Sequence, residues 1–136
     1  FTGIRIGVAA IKGFALAADK PVKAVTAFDL IAYNVNSAQP FYVVIDAAHS
    51  HYYVCGYSGG KICAEPRYLS EEEVKALNSP LYGFEDLPFD NYIKLNPENC
   101  LETAAQSAGI SDNLHALYVR KSQAEENLIA NKRVEL

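Results

Sequence analysis

Two histidines placed two residues apart, His49 and His51, are a candidate metal-binding pair. They follow an apolar segment that ends at Asp46, and residues two apart on an extended strand point to the same side. Two imidazoles on one side can share a metal ion if a third ligand such as Asp46 or His115 joins them. Two histidines alone are a weak signal, and the alternative is a polar strand edge at a turn. We therefore predict no resident metal or cofactor.

The turn after Asp46 could instead bind phosphate, since nucleotide-binding folds hold phosphates against the backbone N–H groups of Gly-rich turns. Residues 46–51 read Asp-Ala-Ala-His-Ser-His and contain no glycine, and the side chains would hinder close backbone approach. The pair Gly59-Gly60 lies between two predicted strands, so we expect a hairpin there and not a phosphate loop. The sequence thus argues against phosphate binding at either turn.

The three cysteines, Cys55, Cys63 and Cys100, form an odd and sparse set, which argues against a disulfide scaffold and fits a reducing cytoplasm. Cys55 and Cys63 flank the Gly-Gly turn, and a hairpin with a three-residue loop would place them opposite each other. They are either a redox pair or two small buried thiols facing one side, and the second is how buried free cysteine usually behaves. No Ser-His-Asp or Cys-His order is convincing, and we predict no catalytic residue.

Composition excludes two classes of partner. The chain has 136 residues, is 50% hydrophobic and has a formal net charge of -4, so it can bury a core and lacks a general nucleic-acid footprint. No apolar run reaches the length needed to cross a membrane. We therefore expect a cytoplasmic protein with no strong direct nucleic-acid binding and no membrane association.

The elements that must position these residues alternate between helical and extended patterns. Polar residues 34–40, which end at a proline, are the predicted linker between two domains. Capping patterns begin helices at Thr26 and at Ser70, the second with Glu73 at its third position. The predicted elements are helix 2–18, strand 22–25, a helix from Thr26, strands 41–46, 51–57 and 61–68, a helix to Leu77, strands 81–84 and 91–95, a helix from Asn96-Pro97 to Gly109, an extended segment 114–119 and a helix from Ser122.

The first helix has an unusual surface. Gly3 and Gly7 are four residues apart, with Ala10 near the same face, so another backbone could approach this side closely. Only Arg5 and Lys12 are charged within the helix. A helix that is apolar almost all round is buried on several sides. We expect it to pack on its own sheet and on a second protein; the alternative is an ordinary core helix of an α/β domain.

Three segments, in the same order, resemble the bacterial TsaB (YeaZ) family. Residues 1–16 carry Phe-Thr-Gly-Ile-Arg-Ile-Gly and then Lys-Gly-x-Ala-Leu, residues 44–47 match the family's Ile-Asp-Ala strand, and residues 117–120 resemble its closing Leu-Tyr-Leu-Arg. The turn after Asp46 departs from the family, which usually has an Arg-rich or Gly-containing turn there. The first residue falls inside the family motif, so we expect the family's first strands and first helix to precede it.

The resemblance implies an α/β chain with the actin-like ATPase or ribonuclease-H-like fold, lacking the front of its first domain. Residues 1–38 would be the remnant of the first, partner-binding domain, residues 39–120 the second α/β domain and residues 121–136 a C-terminal helical tail. We expect the first 35 residues to swap, dimerise or bind a neighbouring chain, because their apolar faces lack a cover.

The resemblance also implies a role without catalysis. Such proteins scaffold TsaD, the transferase that moves a threonylcarbamoyl group onto adenosine beside the tRNA anticodon, together with the ATPase TsaE; a homodimer is possible. Arg5 and Lys12 would be rim charges of the contact. One alternative is a small-molecule kinase or ATPase of the same fold, and another is an interaction module unrelated to tRNA. The predicted partner-binding residues are Gly3, Arg5, Ile6, Gly7, Ala10 and Phe14.

Overall fold

Apolar segments separated by short turns form a five-stranded sheet with helices on both faces. The computed structural model describes residues 2–107, 109 and 114–120. Among these residues no helix is long and apolar enough to span a membrane. The elements in chain order are α1 (Thr2–Ala18), α2 (Ala27–Ala32), β1 (Phe41–Asp46), β2 (His51–Ser58), β3 (Lys61–Ser70), α3 (Glu71–Lys75), β4 (Leu81–Gly83), β5 (Tyr92–Lys94), a 3-10 turn (Pro97–Asn99) and α4 (Cys100–Ser107).

The strands lie in the order β3-β2-β1-β4-β5. β1, β2 and β3 are antiparallel neighbours, while β4 runs parallel to β1 and β5 runs parallel to β4. Gly59 and Gly60 both have positive φ, 57° and 74°, and Ser58 pairs with Lys61, so the predicted hairpin is confirmed as a two-residue turn. The carboxyl ends of β1, β4 and β5 meet at one edge of the sheet.

The core follows the period-two alternation of the central strands. On one face α2 contributes Phe28 and Ile31, which pack with alternate residues of β1 and β2. On the other face Val74 of α3 packs with Leu81 and the intervening strand residues. Each fully buried side chain of this kind contributes about 1.5–3 kcal/mol. The strand residues are Phe41, Val43, Cys55 and Tyr57 on the first face, and Val44, Tyr52 and Val54 on the second.

Both predicted helix caps are confirmed. The Thr26 hydroxyl accepts a hydrogen bond of 3.0 Å from the backbone N–H of Asp29. Ser70 and Glu73 form a reciprocal capping box, in which the Glu73 carboxylate accepts a hydrogen bond of 2.7 Å from the Ser70 N–H. These bonds fix where α2 and α3 begin, and α3 ends two residues earlier than predicted.

One local prediction is wrong. The predicted strand 22–25 is absent, since only Lys23 forms an isolated bridge. The alternative of an ordinary core helix finds no support for α1, because none of its residues is buried. The domain boundary near residue 38 stays a prediction, and the helix predicted from Ser122 lies outside the described residues, as does the tail 121–136.

Candidate functional site

α1 is a regular helix with a defined end. Asp19 adopts a left-handed conformation with φ of 49°, and the Lys20 N–H donates to the Ala15 carbonyl at 3.0 Å. The Asp19 N–H donates to the Leu16 carbonyl at 3.3 Å, which completes a Schellman cap, and Pro21 prevents the helix from continuing. The helix is therefore closed by its own local sequence rather than by packing on the core.

The two sides of α1 face different surroundings. Val8 and Ala15 are half-buried, whereas Ile6 and Phe14 are 65% and 71% exposed. Five of the six predicted partner-binding residues share the open side, because at about 100° per residue they occupy an arc of about 100° opposite Val8. We call this open side the free face of α1; its residues are Gly3, Ile6, Gly7, Ala10 and Phe14.

Two glycines leave space on the free face. A Cβ atom added at Gly3 or at Gly7 would meet nothing within 4 Å. The glycines are therefore not required by packing inside the described part of the chain. A partner backbone could approach α1 at these positions more closely than at any residue with a side chain.

Arg5 lies apart from the free face and contacts its own chain. Its Nε donates a hydrogen bond of 2.8 Å to the Tyr118 hydroxyl, and its Cζ lies 5.5 Å from the centre of the Tyr118 ring. Lys12 lies on the same side, where it lines a shallow hollow together with Leu114. Arg5 therefore lies on a different side of α1 from the other five predicted partner-binding residues.

A cavity of about 450 Å³ lies between α1 and the sheet. Its lining is largely apolar and comes from α1, the start of α2, two strands and residues 114–120. Within the described residues, this space lies where the sequence predicted that α1 packs on its own sheet. The lining includes Ile4 and Val8 of α1, Val25 and Phe28 near α2, Ile45 and Tyr53 of the sheet, and Leu117.

Residues 114–120, which we call the closing segment, are anchored to the sheet at their far end. The Arg120 guanidinium carbon lies 4.8 Å from the centre of the Tyr68 ring, and Arg120 Nη1 donates to the Tyr68 hydroxyl at 3.3 Å. The same tyrosine ring stacks on His51 with centroids 4.8 Å apart and planes 9° apart. His51 therefore has a packing role on the sheet.

The turn between β1 and β2 is strained and holds itself together. Ala48, His49 and Ser50 all have positive φ, between 54° and 63°, which costs about 1–2 kcal/mol for each non-glycine residue. The Asp46 carboxylate accepts a hydrogen bond of 2.8 Å from the Ala48 N–H, while the Asp46 N–H donates to Glu85 Oε2 at 2.8 Å. These bonds explain how a turn without glycine adopts a left-handed path.

The histidine pair does not gain a third ligand in this arrangement. His51 Nδ1 lies 2.8 Å from the His49 carbonyl oxygen, and His115 lines the cavity beneath α1. Within the described residues, no group of three or more metal-ligating side chains converges. The metal hypothesis for His49 and His51 thus has no support from this geometry.

The cysteines are placed differently from the prediction. Gly56 pairs with Ala64 and Tyr57 with Ile62, so the irregular register leaves Cys63 unpaired in the ladder and not opposite Cys55. Cys55 is buried, as predicted, and burial raises its pKa from 9.0 to about 11. Cys63 is exposed, so the prediction of two buried thiols is wrong for this residue.

Sequence reasoning missed the roles of Tyr68, Tyr118 and Arg120. Each contact joins residues that are far apart in the chain, 113 positions for Arg5 with Tyr118 and 52 for Arg120 with Tyr68. The Leu-Tyr-Val-Arg motif at residues 117–120 could have indicated these contacts, because it combines an aromatic ring and a guanidinium that can make them.

Comparison with known proteins identifies a protein family and solved structures that are similar to this chain. A protein-family profile described as "TsaD: tRNA N6-adenosine threonylcarbamoyltransferase" matches residues 1–81. A crystal structure of an uncharacterized protein with similarity to peptidase YeaZ from Pseudomonas aeruginosa is similar with a TM-score of 0.57 and 22% identity, over 88% of this chain and 68% of that chain. YeaZ from Pseudomonas aeruginosa is similar with a TM-score of 0.55 and 23% identity, over 79% of this chain and 61% of that chain.

These comparisons confirm the predicted fold class. The solved structures have the actin-like, ribonuclease-H-like α/β fold, and this chain spans roughly two thirds of each of them. Curated proteins gave no significant match.

Proposed function

Since this chain belongs to the family described as TsaD: tRNA N6-adenosine threonylcarbamoyltransferase, we propose that it acts in the threonylcarbamoyladenosine modification of tRNA as a non-catalytic scaffold. The scaffold binds a TsaD-type transferase through the free face of α1. The YeaZ-like fold supports a place beside the transferase in the same process. A TsaE-type ATPase in the same complex and a homodimer are further parts of this proposal.

The single observation that carries the proposal is the apolar free face, which none of the described residues covers. Burying an isoleucine or a phenylalanine contributes about 1.5–3 kcal/mol for each side chain, and Ile6 and Phe14 are both largely exposed in the chain alone. Apolar surface of this kind on a regular helix marks a protein-protein contact. The two glycines beside these residues leave room for the partner's backbone.

A kinase or ATPase activity finds less support. In a kinase or ATPase, the backbone N–H groups of the turn after β1 would contact a phosphate. Here the turn contains Ala48, His49 and Ser50 at positive φ, and their side chains occupy space that glycine would leave open. The Asp46 carboxylate also accepts the Ala48 N–H, which removes one donor from a phosphate. The proposal therefore assigns binding, and not chemistry, to this chain.

The experiment is a calorimetric titration of this chain with the TsaD-type transferase of the same organism. Gly7→Leu should weaken binding at least about tenfold, equivalent to 1.4 kcal/mol, because its side chain blocks close approach. Gly7→Ala is the matched control for helix propensity, and Lys12→Ala should change the affinity less than about threefold. Circular dichroism of each variant verifies folding. Equal effects of Gly7→Leu and Lys12→Ala would remove the free face from the interface.

A further inference from the structure

We infer that the closing segment, residues 114–120, is a strut that sets the orientation of α1 for its partner, with Tyr118 as the positioning residue. The inference rests on the proposed function for the use of that orientation. It concerns a contact that lies on the other side of α1 from the free face.

The first support is the contact between the strut and α1. Arg5 Nε donates to the Tyr118 hydroxyl at 2.8 Å, and the guanidinium also lies over the edge of the aromatic surface at 5.5 Å from the ring centre. A planar guanidinium that both stacks and donates fixes the angle of the side chain more strictly than a point charge does. The pair can thus define the rotation of α1 about its own axis.

The second support is the position of the strut. Leu114 lines one hollow with Lys12 and Leu16 and a second hollow with Arg5, while Tyr118 accepts the hydrogen bond from Arg5. The strut therefore lies beside the inner side of α1, between the levels of Arg5 and Leu16.

The third support is the anchor at the other end of the strut. Arg120 lies over Tyr68 and donates to its hydroxyl, and His51 stacks on the same ring. Tyr53 adds a further aromatic contact to Tyr68, with centroids 5.6 Å apart. The strut is thus fixed to Tyr68 of β3, which itself packs on two residues of β2, and this anchor lies within two residues of the contact that holds α1.

A cavity lies along the other path by which the sheet could hold α1. A space of about 450 Å³ separates the inner side of α1 from Ile45 and Tyr53 of the sheet, and no residue of α1 is buried. Within the described residues, packing on the sheet therefore does not fix the angle of the helix. The orientation of the free face depends on the strut. Tyr118 therefore affects binding of the partner through Arg5, without itself contacting the partner.

The test compares Tyr118→Phe, which keeps the ring and removes the hydroxyl, with Tyr82→Phe on β4 as the matched control. Two nitroxide labels, one at Ala17→Cys and one at the exposed native Cys63, report the distance between α1 and β3 in the chain alone. Tyr118→Phe should broaden this distance distribution and weaken binding to the transferase about 3- to 10-fold. Tyr82→Phe should change neither readout.

A double-mutant cycle separates positioning from general destabilisation. Arg5→Gln in the Tyr118→Phe background should add less than about twofold to the loss of affinity, because the contact is already broken. An unchanged distance distribution in Tyr118→Phe, or a broadened one with unchanged affinity, would overturn the inference. A wild-type chain that fails to bind the transferase would instead overturn the proposed function, while the distance measurement would still decide whether the strut orients α1.

Discussion

The Tyr57 hydroxyl donates a hydrogen bond of 2.7 Å to Asp29 Oδ1, and this bond joins the sheet to α2. The other carboxylate oxygen of Asp29 accepts a hydrogen bond of 2.7 Å from Thr26, the cap of the same helix. Tyr57 is only 2% exposed, and burial together with the bond to Asp29 raises its pKa far above the usual value. One acidic residue thus fixes both the start of α2 and its place on the core.

The first prediction concerns this bond. Tyr57→Phe should lower the free energy of unfolding by about 1.5–3 kcal/mol, because a hydrogen bond to a charged group is lost and the carboxylate keeps fewer partners. Urea denaturation followed by circular dichroism measures the change. Tyr82→Phe, which keeps its edge-on contact with Phe41, should cost less than about 0.5 kcal/mol. Equal losses in the two variants would mean that the hydroxyl contributes nothing specific.

The second prediction concerns alkaline pH. Burial raises the pKa of Cys55 from 9.0 to about 11 and that of Tyr92 from 10.0 to about 12, so the folded chain holds these protons more tightly than the unfolded chain does. The associated stability is complete below pH 9 and is lost as the pH rises through 11 to 12. The urea midpoint should fall steadily between pH 9 and pH 11. Cys55→Ala should flatten this slope, and an unchanged slope would exclude the thiol as a cause.

The third prediction concerns a glycine in the sheet. A Cβ atom at Gly83 would lie 2.5 Å from both the Val44 carbonyl oxygen and the Tyr92 hydroxyl. Gly83→Ala should therefore lower the free energy of unfolding by about 1–3 kcal/mol. Gly13→Ala, where the added atom meets nothing within 4 Å, should raise it by about 0.5–1 kcal/mol. Thermal unfolding of the two variants gives the comparison, and a shift of the same sign in both would refute it.

The fourth prediction concerns thiol reactivity. Cys63 is exposed, whereas Cys55 and Cys100 are buried and burial raises the pKa of both. Iodoacetamide at pH 8 should modify Cys63 first, and the other two thiols should react only after unfolding in urea. Peptide mass spectrometry identifies the modified residue. Recovery of a Cys55–Cys63 disulfide from the folded chain would favour the redox pair instead.

Several strands, turns and helix starts could be predicted from the sequence, because each depends on residues that are close together in the chain. A continuous apolar run predicted β1, the Gly59-Gly60 pair predicted the hairpin, and Ser70 with Glu73 predicted the start of α3. Such signals depend on neighbours within about four residues along the chain. They are readable without any knowledge of tertiary structure.

The sequence could not supply contacts between distant segments. It showed that α1 is apolar, but not that a cavity replaces its packing on the sheet. It placed Cys63 opposite Cys55 on the assumption of a three-residue loop, whereas the turn has two residues and a bulge follows at Cys63. The Arg5–Tyr118 contact depends on where the closing segment returns, which no local pattern specifies.

Size-exclusion chromatography with light scattering, on this chain alone and mixed with the TsaD-type transferase of the same organism, shows whether the two proteins form a complex. The proposed scaffold predicts a peak with the mass of a heterodimer for the wild-type chain and its loss for Gly7→Leu. Two separate peaks for the wild-type mixture, with the chain folded by circular dichroism, would contradict the claim that the free face of α1 binds the transferase.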